Sequence, residues 1–524
     1  MRDFHLPGRS PVYAENGIVA TSHPLAAKVG VQMLEAGGNA VDAALATAAM
    51  LGLCEPQMCG LGGDMFALVS RPGEEVVALN GSGRAPAGLS AEEMRGRGLK
   101  AVPESGVEAV TVPGAVDAFC RLSERYGRLG LAEVFAPAIR YAEAGVPMAP
   151  RVAFDLATST AVLQGRAREL YSDGGAPLRE RALFRAPLQA ELLRRIAAEG
   201  RAGFYEGEVA EDMVSSLRAL GGTHTEEDVA TTEATWGAPV GGTYKGVELL
   251  EHPPNGQGAT AILMANILAH FDLPALAPFG AARAHLEAEA TKLAYDTRNR
   301  VIADPDHTAR LAHMLAPETA ARLAALIRPD AVLPPALPGA EAVHRETVYL
   351  TVVDRERMAV SFIYSIYHGF GSGLASDRFG MLFQNRGAGF TLEAGHPNEA
   401  GGGKRPMHTI IPAMLRQEGR VTAAFGVMGG AYQPAGHARV LSNMVDYGMD
   451  PQSALDAPRS FAAGGRLKVE RGYSENVRAE LSALGHDVTV PDEPLGGAQM
   501  ITIGADGVLE GASDPRKDGI ALGY

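Results

Sequence analysis

The feature that most constrains this 524-residue chain is an abrupt change of pattern at Thr347. Residues 116–326 are mostly rich in Ala, Leu, Arg and Glu, which predicts helices. After Thr347, two apolar runs at 348–353 and 358–364 flank a polar turn at 354–357 and predict a β-hairpin. Strands that follow a long helical region favour an α/β sandwich of several layers.

Other segments carry equally plain patterns. Leu25, Val29 and Met33 share one face of a predicted helix that ends at Gly37. The almost wholly apolar run 41–51 predicts a helix buried on all sides. A glycine loop at 60–64 lacks the Lys-Ser/Thr of a phosphate-binding loop and precedes a strand, so we interpret it as a tight connection to a strand at 65–69. Further strands are predicted at 409–415, 421–427, 467–469 and 499–503, and helices at 435–447 and 474–484.

Composition excludes several classes of function. The formal net charge of −14 argues against non-specific binding to nucleic acid or to acidic membranes. The sequence shows neither a transmembrane segment nor a signal peptide, so we expect a soluble cytoplasmic protein. Cys54, Cys59 and Cys120 have no CxxC spacing, which predicts free core thiols and no metal site. The length leaves two lobes or one large layered domain open.

Thr347 itself combines a hydroxyl with a position that chemistry can use. The proline-rich tract 331–343 cannot hold a regular helix or a central strand, so it predicts an exposed loop just before the Glu346–Thr347 bond. If that bond were cut, Thr347 would carry both a nucleophilic Oγ and a free α-amine, whose pKa is about 7.7–8.0 in model compounds. The amine could then take the hydroxyl proton without a histidine. The alternative is that this threonine is only a good β-former.

Short motifs occur in a fixed order along almost the whole chain, at residues 20–24, 37–44, 60–63, 137–139, 204–207, 304–305, 404–406, 426–430 and 513–516. Together they resemble the γ-glutamyltranspeptidase family of N-terminal nucleophile hydrolases. The resemblance implies a four-layer αββα sandwich, an inactive precursor, and self-cleavage between Glu346 and Thr347. The products would be a large subunit, 1–346, and a small catalytic subunit, 347–524, which together form one αββα unit as a heterodimer.

The resemblance also implies roles for individual residues. Thr347 would attack its own preceding carbonyl during maturation, and later the substrate amide. Gly429 and Gly430 match the family's double glycine, whose N–H groups can bind an oxyanion, although an ordinary glycine turn is the alternative. Ser365 matches a hydroxyl that supports the nucleophile. The other pocket positions, each of which could instead hold a structural hydrogen bond, fall at Asn385, at Thr409, and at His408, where the family has a second hydroxyl.

The departures from the family pattern concern charge. Transpeptidases bind the substrate's α-carboxylate through an arginine whose position falls near Ser82, and Arg84 lies two residues later. They bind its α-ammonium through an acid whose position is Gly389 here. Two polar amide positions of their pocket have become Arg386 and Tyr367.

A pocket that loses a carboxylate and gains a guanidinium should favour an anion over an ammonium. This points away from γ-glutamyl donors such as glutathione and toward amides of acids that carry a carboxylate but no α-amine. The pattern resembles the amidohydrolase branch of the family, with its oxamate amidohydrolases and its glutaryl- or cephalosporin-type acylases. The alternative is that Arg386 pairs with a protein carboxylate elsewhere.

Three hypotheses follow. The first is a self-processing amidohydrolase that cleaves small carboxylate-bearing amides through an acyl-enzyme on Thr347, with no metal or organic cofactor. The second is a γ-glutamyl hydrolase or transferase with a rearranged pocket, in which Arg84 reaches the α-carboxylate. The third is an uncleaved, catalytically silent protein that binds a metabolite.

Overall fold

The structure, a computed structural model, describes residues 8–334 and 347–524. Most of the predicted loop at 331–343, and Glu346, therefore lie outside the described residues. Strands β1 to β19 cover, in chain order, Val12–Ala14, Ile18–Thr21, Asp64–Ser70, Val77–Gly81, Val146–Pro147, Leu183–Phe184, Thr235–Gly237, Val240–Tyr244, Val247–Glu251, Val348–Val353, Ala359–Ser365, Ala413–Gln417, Arg420–Met428, Ser460–Ala463, Arg466–Val469, Val488–Thr489, Gly497–Ile503, Leu509–Ser513 and Ile520–Gly523.

Helices α1 to α18 cover, in chain order, Pro24–Glu35, Ala40–Cys54, Ala91–Gly96, Ala115–Tyr126, Leu131–Ala144, Pro150–Ser159, Gly165–Tyr171, Pro187–Glu199, Ala202–Tyr205, Gly207–Ala219, Glu226–Ala230, Gly258–Leu268, Ala281–Val301, Leu311–Leu315, Pro317–Ala324, Gln433–Val445, Pro451–Asp456 and Glu475–Ala483. The predicted helix through Leu25 is α1, and the all-apolar helix is α2, in which every residue except Gly52 is buried. Within the described residues, none of these helices is long and apolar enough to cross a membrane.

Two seven-stranded antiparallel sheets form the centre of the fold. The first has the order β1-β18-β17-β13-β12-β9-β8, and the second β19-β2-β10-β11-β3-β4-β7. Apolar side chains of both sheets meet between them, including Leu68 and Val353 from the second and Met414 and Ile501 from the first. Helices α1, α2 and α4 cover the outer face of the second sheet, and α12 and α16 cover that of the first. The predicted four-layer αββα architecture is confirmed.

Both sheets contain strands from each side of residue 347. Strand β10, which begins directly after Thr347, lies between β2 and β11. Leu350 pairs with Thr21 of β2, and Val348 pairs with Tyr364 of β11. In the first sheet, β12 likewise lies between β9 and β13. Thr347 therefore starts a central strand whose neighbours fix its position on both sides.

Two elements differ from the sequence prediction. The mostly helical region 116–326 also contains β7, β8 and β9, and β8 and β9 form a hairpin around Lys245 and Gly246, both with positive φ. A two-residue turn ending in glycine is a hairpin signal that the helical composition obscured. The strand predicted at 409–415 begins only at Ala413. The backbone at Thr409 and Ile411 instead bonds to glutamine side chains, so it cannot join a ladder.

The contact between the two sheets beside the start of β10 is tight, and it yields a test. Gly426 of β13 lies against the ring of Tyr349, and a Cβ at position 426 would overlap that ring. We expect Gly426→Val to lower the free energy of unfolding by about 1–3 kcal/mol, the usual cost of overpacking, in urea titrations. Gly96→Ala at the end of α3, where a Cβ meets nothing, is the control. Equal stability of the two variants would contradict this packing.

Candidate active site

Thr347 is almost fully buried at the entrance of β10, and its hydroxyl has a defined partner. Its Oγ donates to Oγ of Ser365, the last residue of β11, at 3.3 Å. Ser365 Oγ also accepts the N–H of Tyr367 at 2.8 Å. Ser365 pairs with Asp64 across the β11–β3 ladder. The sheet thus holds the predicted supporting hydroxyl directly beside the predicted nucleophile.

Arg386 places a buried guanidinium in the same group of side chains. Its Nη1 donates to Thr409 Oγ1 at 3.0 Å, and its Nη2 lies 3.5 Å from Ser365 Oγ. The guanidinium carbon lies 3.8 Å from the ring centroid of Tyr367, a close cation–π contact. The structure therefore brings together five residues that the sequence singled out: Thr347, Ser365, Tyr367, Arg386 and Thr409.

The turn that carries Tyr367 is strained and braced. Tyr367 has a φ of +81°, which a non-glycine residue rarely adopts and which is found mostly where surrounding structure enforces it. Asn385 supplies part of that enforcement. Its Oδ1 accepts the N–H of His368 at 3.0 Å, and its Nδ2 donates to the carbonyl of Glu104. The amide of Asn385 thus positions the Tyr367 turn through backbone groups.

His408 is bonded to a carboxylate that the sequence did not reveal. Its Nε2 lies 3.1 Å from Oδ2 of Asp64, and both side chains are fully buried. Burial, reinforced by the charge of Arg386, lowers the pKa of His408 to about 3. The ring is therefore neutral near pH 7, with its Nε2–H donating to Asp64. Asp64 also accepts from the Gly83 N–H and the Gln384 side chain, each at 2.9 Å.

Gly429 and Gly430 follow the end of β13. Their φ values of +116° and +56° lie in the region that glycine adopts without strain. Within residues 8–334 and 347–524, neither amide N–H donates a hydrogen bond to another protein group. The preceding Met428 packs in one apolar cluster with Tyr349, two residues beyond Thr347. Unengaged backbone N–H groups at this place are suited to an oxyanion.

Gln257 and Arg298 are parts of this site that sequence reasoning missed. Gln257 Nε2 donates both to the carbonyl of Thr409 at 2.6 Å and to that of Gly430 at 3.0 Å. Its Oε1 accepts from Arg298 of α13 at 2.8 Å. The only sequence signal was the turn 253–256, which marks a break before α12 but gives no hint of what Gln257 contacts.

Among the described residues, the side chain of Arg84 forms no hydrogen bond with this group. Its Nη1 lies 3.4 Å from Oδ2 of Asp304 and donates to the carbonyl of Gly403 at 2.9 Å, and its side chain is 41% exposed. Asp304 also accepts the backbone N–H of Arg405. A role of Arg84 in substrate binding stays a prediction.

Potential metal ligands occur away from Thr347. In the part of the chain that the structure describes, His285, Glu289 and His486 are close enough to hold an ion. Their atoms are already bonded, because the two imidazoles share a 2.8 Å hydrogen bond and Lys292 lies 2.7 Å from Glu289. Cys54, Cys59 and Cys120 are buried free thiols, as predicted.

The neutral state of His408 predicts a pH effect on stability. Its folded-state pKa lies below the ordinary value, so only the unfolded chain takes up this proton, and the free energy of unfolding falls as the pH drops below about 6.5. Between pH 7 and 5 one such histidine costs about 2 kcal/mol. We expect His408→Asn to make the loss of stability between these two pH values smaller by about that amount, in urea titrations.

The same substitution at the exposed His270 is the control for this measurement. Buried His23 and His252, whose pKa values are lowered by burial to about 4, should still give the variant a residual loss at acid pH. If His408→Asn lost as much free energy of unfolding between pH 7 and 5 as the wild type, the fold would not be keeping this ring neutral.

Comparison with known proteins gives one consistent family. A family model described as gamma-glutamyltranspeptidase matches residues 26–524. A glutathione hydrolase-like YwrD proenzyme of Bacillus subtilis is 35% identical, over 97% of this chain and 98% of its own. An oxamate amidohydrolase proenzyme of Klebsiella pneumoniae is 34% identical over the same shares. The crystal structure of a cephalosporin acylase from Bacillus halodurans matches with a TM-score of 0.92 and 38% identity, over 100% of this chain and 99% of its own.

Proposed function

Because the chain belongs to the γ-glutamyltranspeptidase family, we propose that it is a self-processing amidohydrolase whose nucleophile is Thr347 and whose substrates are small amides that carry a carboxylate. One observation carries the proposal: the buried guanidinium of Arg386 lies within 3.5 Å of Ser365 Oγ, which accepts the hydrogen bond of the Thr347 hydroxyl. Nucleophile and anion-binding group are therefore separated by a single hydroxyl.

Maturation would use the same groups as turnover. Thr347 Oγ attacks the carbonyl carbon of Glu346, the C–N bond breaks, and the acyl group moves from nitrogen to oxygen as an ester. Water then hydrolyses the ester, which leaves a carboxylate on Glu346 and a free α-amine on Thr347. The two products stay associated as a heterodimer, because each sheet contains strands from both.

In turnover the α-amine of Thr347 accepts the proton of its own Oγ as this oxygen attacks the substrate amide. The N–H groups of Gly429 and Gly430 bind the oxyanion, a contribution of about 10²–10³ in rate for one such donor in other hydrolases. The ammonium then gives its proton to the leaving nitrogen as the C–N bond breaks. Water, deprotonated by the same amine, releases the acid from the ester.

The substrate class follows from the charges around the nucleophile. Arg386 offers a planar fork that fits a carboxylate, and Thr409 and Ser365 add hydroxyls beside it. The position where transpeptidases have an acid for the α-ammonium is Gly389, which has no side chain to bind a cation. Similarity to an oxamate amidohydrolase and to a cephalosporin acylase supports the same class.

A second candidate is γ-glutamyl hydrolysis of glutathione-like donors. The 35% identity to a glutathione hydrolase-like protein favours it. In this case a residue such as Arg84, whose side chain is partly exposed, would bind the α-carboxylate in place of Arg386.

Self-cleavage can be tested by the masses of the chains. Purified protein should give two masses under denaturing conditions, and the smaller chain should begin Thr347-Val348-Tyr349. Thr347→Ala should stay intact because it has no attacking oxygen, whereas Thr347→Ser should still be cut. Thr422→Ala on β13, whose hydroxyl donates to the backbone carbonyl of Leu415, is the matched control and should be processed like the wild type. A wild-type chain that remains whole would favour the silent binding protein instead.

Substrate preference separates hydrolysis of carboxylated amides from γ-glutamyl hydrolysis. Oxamate and dicarboxylic acid monoamides should be hydrolysed, and a γ-glutamyl anilide should not. Arg386→Gln should raise KM for the carboxylated amides by about 10–150-fold, the equivalent of one charged hydrogen bond. Arg386→Lys, which keeps the charge but not the fork, should recover part of this. Turnover of the anilide alone, lost in Arg84→Gln but kept in Arg386→Gln, would establish the second candidate.

A further inference from the structure

Arg298 is a buried arginine whose partners are all uncharged. It lies on α13 with 3% of its surface exposed, and among the described residues no carboxylate is within ion-pair distance of it. Its guanidinium donates to the amide oxygens of Gln257 and Asn299 at 2.8–3.0 Å and stacks on the ring of Tyr295. Burial lowers its pKa.

Two other buried arginines have counter-ions. Arg283 on the same helix forms an ion pair with Glu287 at 2.9 Å, and Arg459 forms one with Asp514. A buried charge without a counter-ion is costly, so it persists where it serves a purpose other than stability. The partners of Arg298 indicate what that purpose is.

Gln257 is the link between Arg298 and the catalytic group. Its Nε2 donates to two carbonyls at once, those of Thr409 and Gly430. Its Oε1 must then point the other way, where only a donor can meet it. A guanidinium has no acceptor, so Arg298 locks the amide in this orientation. With the amide reversed, an oxygen would face two carbonyl oxygens, and the contact would become repulsive.

The same helix holds the glycine loop at a second point. Tyr295, one turn before Arg298, donates its hydroxyl to the carbonyl of Ala431. The carbonyls of Gly430 and Ala431 are thus both held from residues that precede position 347, while the N–H groups of Gly429 and Gly430 stay unengaged. The Ala431 carbonyl shares its peptide group with the N–H of Tyr432, which donates to the Gly429 carbonyl at 3.0 Å. The Gly429 carbonyl in turn shares its peptide group with the Gly430 N–H, so holding the loop at these points also fixes the direction of that N–H.

We propose that Arg298 is a positioning residue for the oxyanion loop: through Gln257 it fixes Gly430 relative to the pocket residue Thr409. The role of this loop in acyl transfer rests on the function proposed above. Because no carboxylate among the described residues pairs with Arg298, its charge also favours the negative charge that develops on the substrate oxygen. Arg298 acts on both self-cleavage and turnover through Gln257.

The test compares Arg298→Gln, Arg298→Lys and Arg300→Gln. The control Arg300 lies on the same helix, but it is exposed and pairs with Asp296. Removing Arg298 should slow self-cleavage and lower kcat by about 10²-fold or more, the scale of a lost oxyanion donor, with KM within about 3-fold of the wild type. The kcat of Arg298→Lys should be at least about tenfold higher than that of Arg298→Gln, because lysine restores a donor and a charge. Arg300→Gln should behave as the wild type.

Hydrogen exchange followed by mass spectrometry gives a readout that does not depend on activity. In Arg298→Gln the amides of residues 429–433 should exchange faster, while those of β10 and β11 stay protected. Unchanged exchange in the loop, or kcat within a factor of two of the wild type, would overturn the proposal. Failure of the wild-type chain to cleave would instead count against the proposed function, and the exchange result would still decide whether Arg298 holds the loop.

Discussion

The position of one residue, Thr347, depends on the pairing of β10 with β2 and β11. Hydrogen bonds on both sides hold β10 in the middle of a sheet. Thr347, which directly precedes β10, therefore cannot shift relative to the last residue of β11. Ser365 is that last residue, and from there contacts extend to Arg386, Thr409 and Gly430. The site is built at the point where two central strands end together, which is a rigid place for a nucleophile.

The site contains one buried acid and two buried arginines, in different surroundings. Asp64 is surrounded by donors, among them a histidine that burial keeps uncharged, so this acid supports the architecture and is not available to bind an ammonium. Arg386 bonds to the Thr409 hydroxyl, and Arg298 reaches the Thr409 carbonyl through Gln257, so both bring positive charge to this residue. Under the proposed function, this positive charge would favour a negatively charged ligand and a negatively charged transition state.

Sequence patterns predicted the layered fold and most of the residues that meet around Thr347, but not how these residues are held. Thr347, Ser365 and Arg386 could be named because family motifs and strand ends mark them. Asp64 could not be, since nothing local says that an acid opening a strand will meet His408, which lies 344 positions later. Gln257 and Arg298 were missed for the same reason, because their roles depend on contacts with residues far away in the sequence. The helix-like composition of 116–326 also concealed the β8–β9 hairpin.

Because each sheet is built from strands on both sides of residue 347, cleavage would give the molecule an unusual relation to its own folding. As one chain, the precursor brings β2, β10 and β3 together by intramolecular search. Once the backbone is cut, the same pairing would require two separate chains to associate and form both sheets together, at a cost that rises with dilution. Such a protein would hold a shape it could no longer easily regain. Its lifetime would then be governed by how slowly it opens and not by how stable it is.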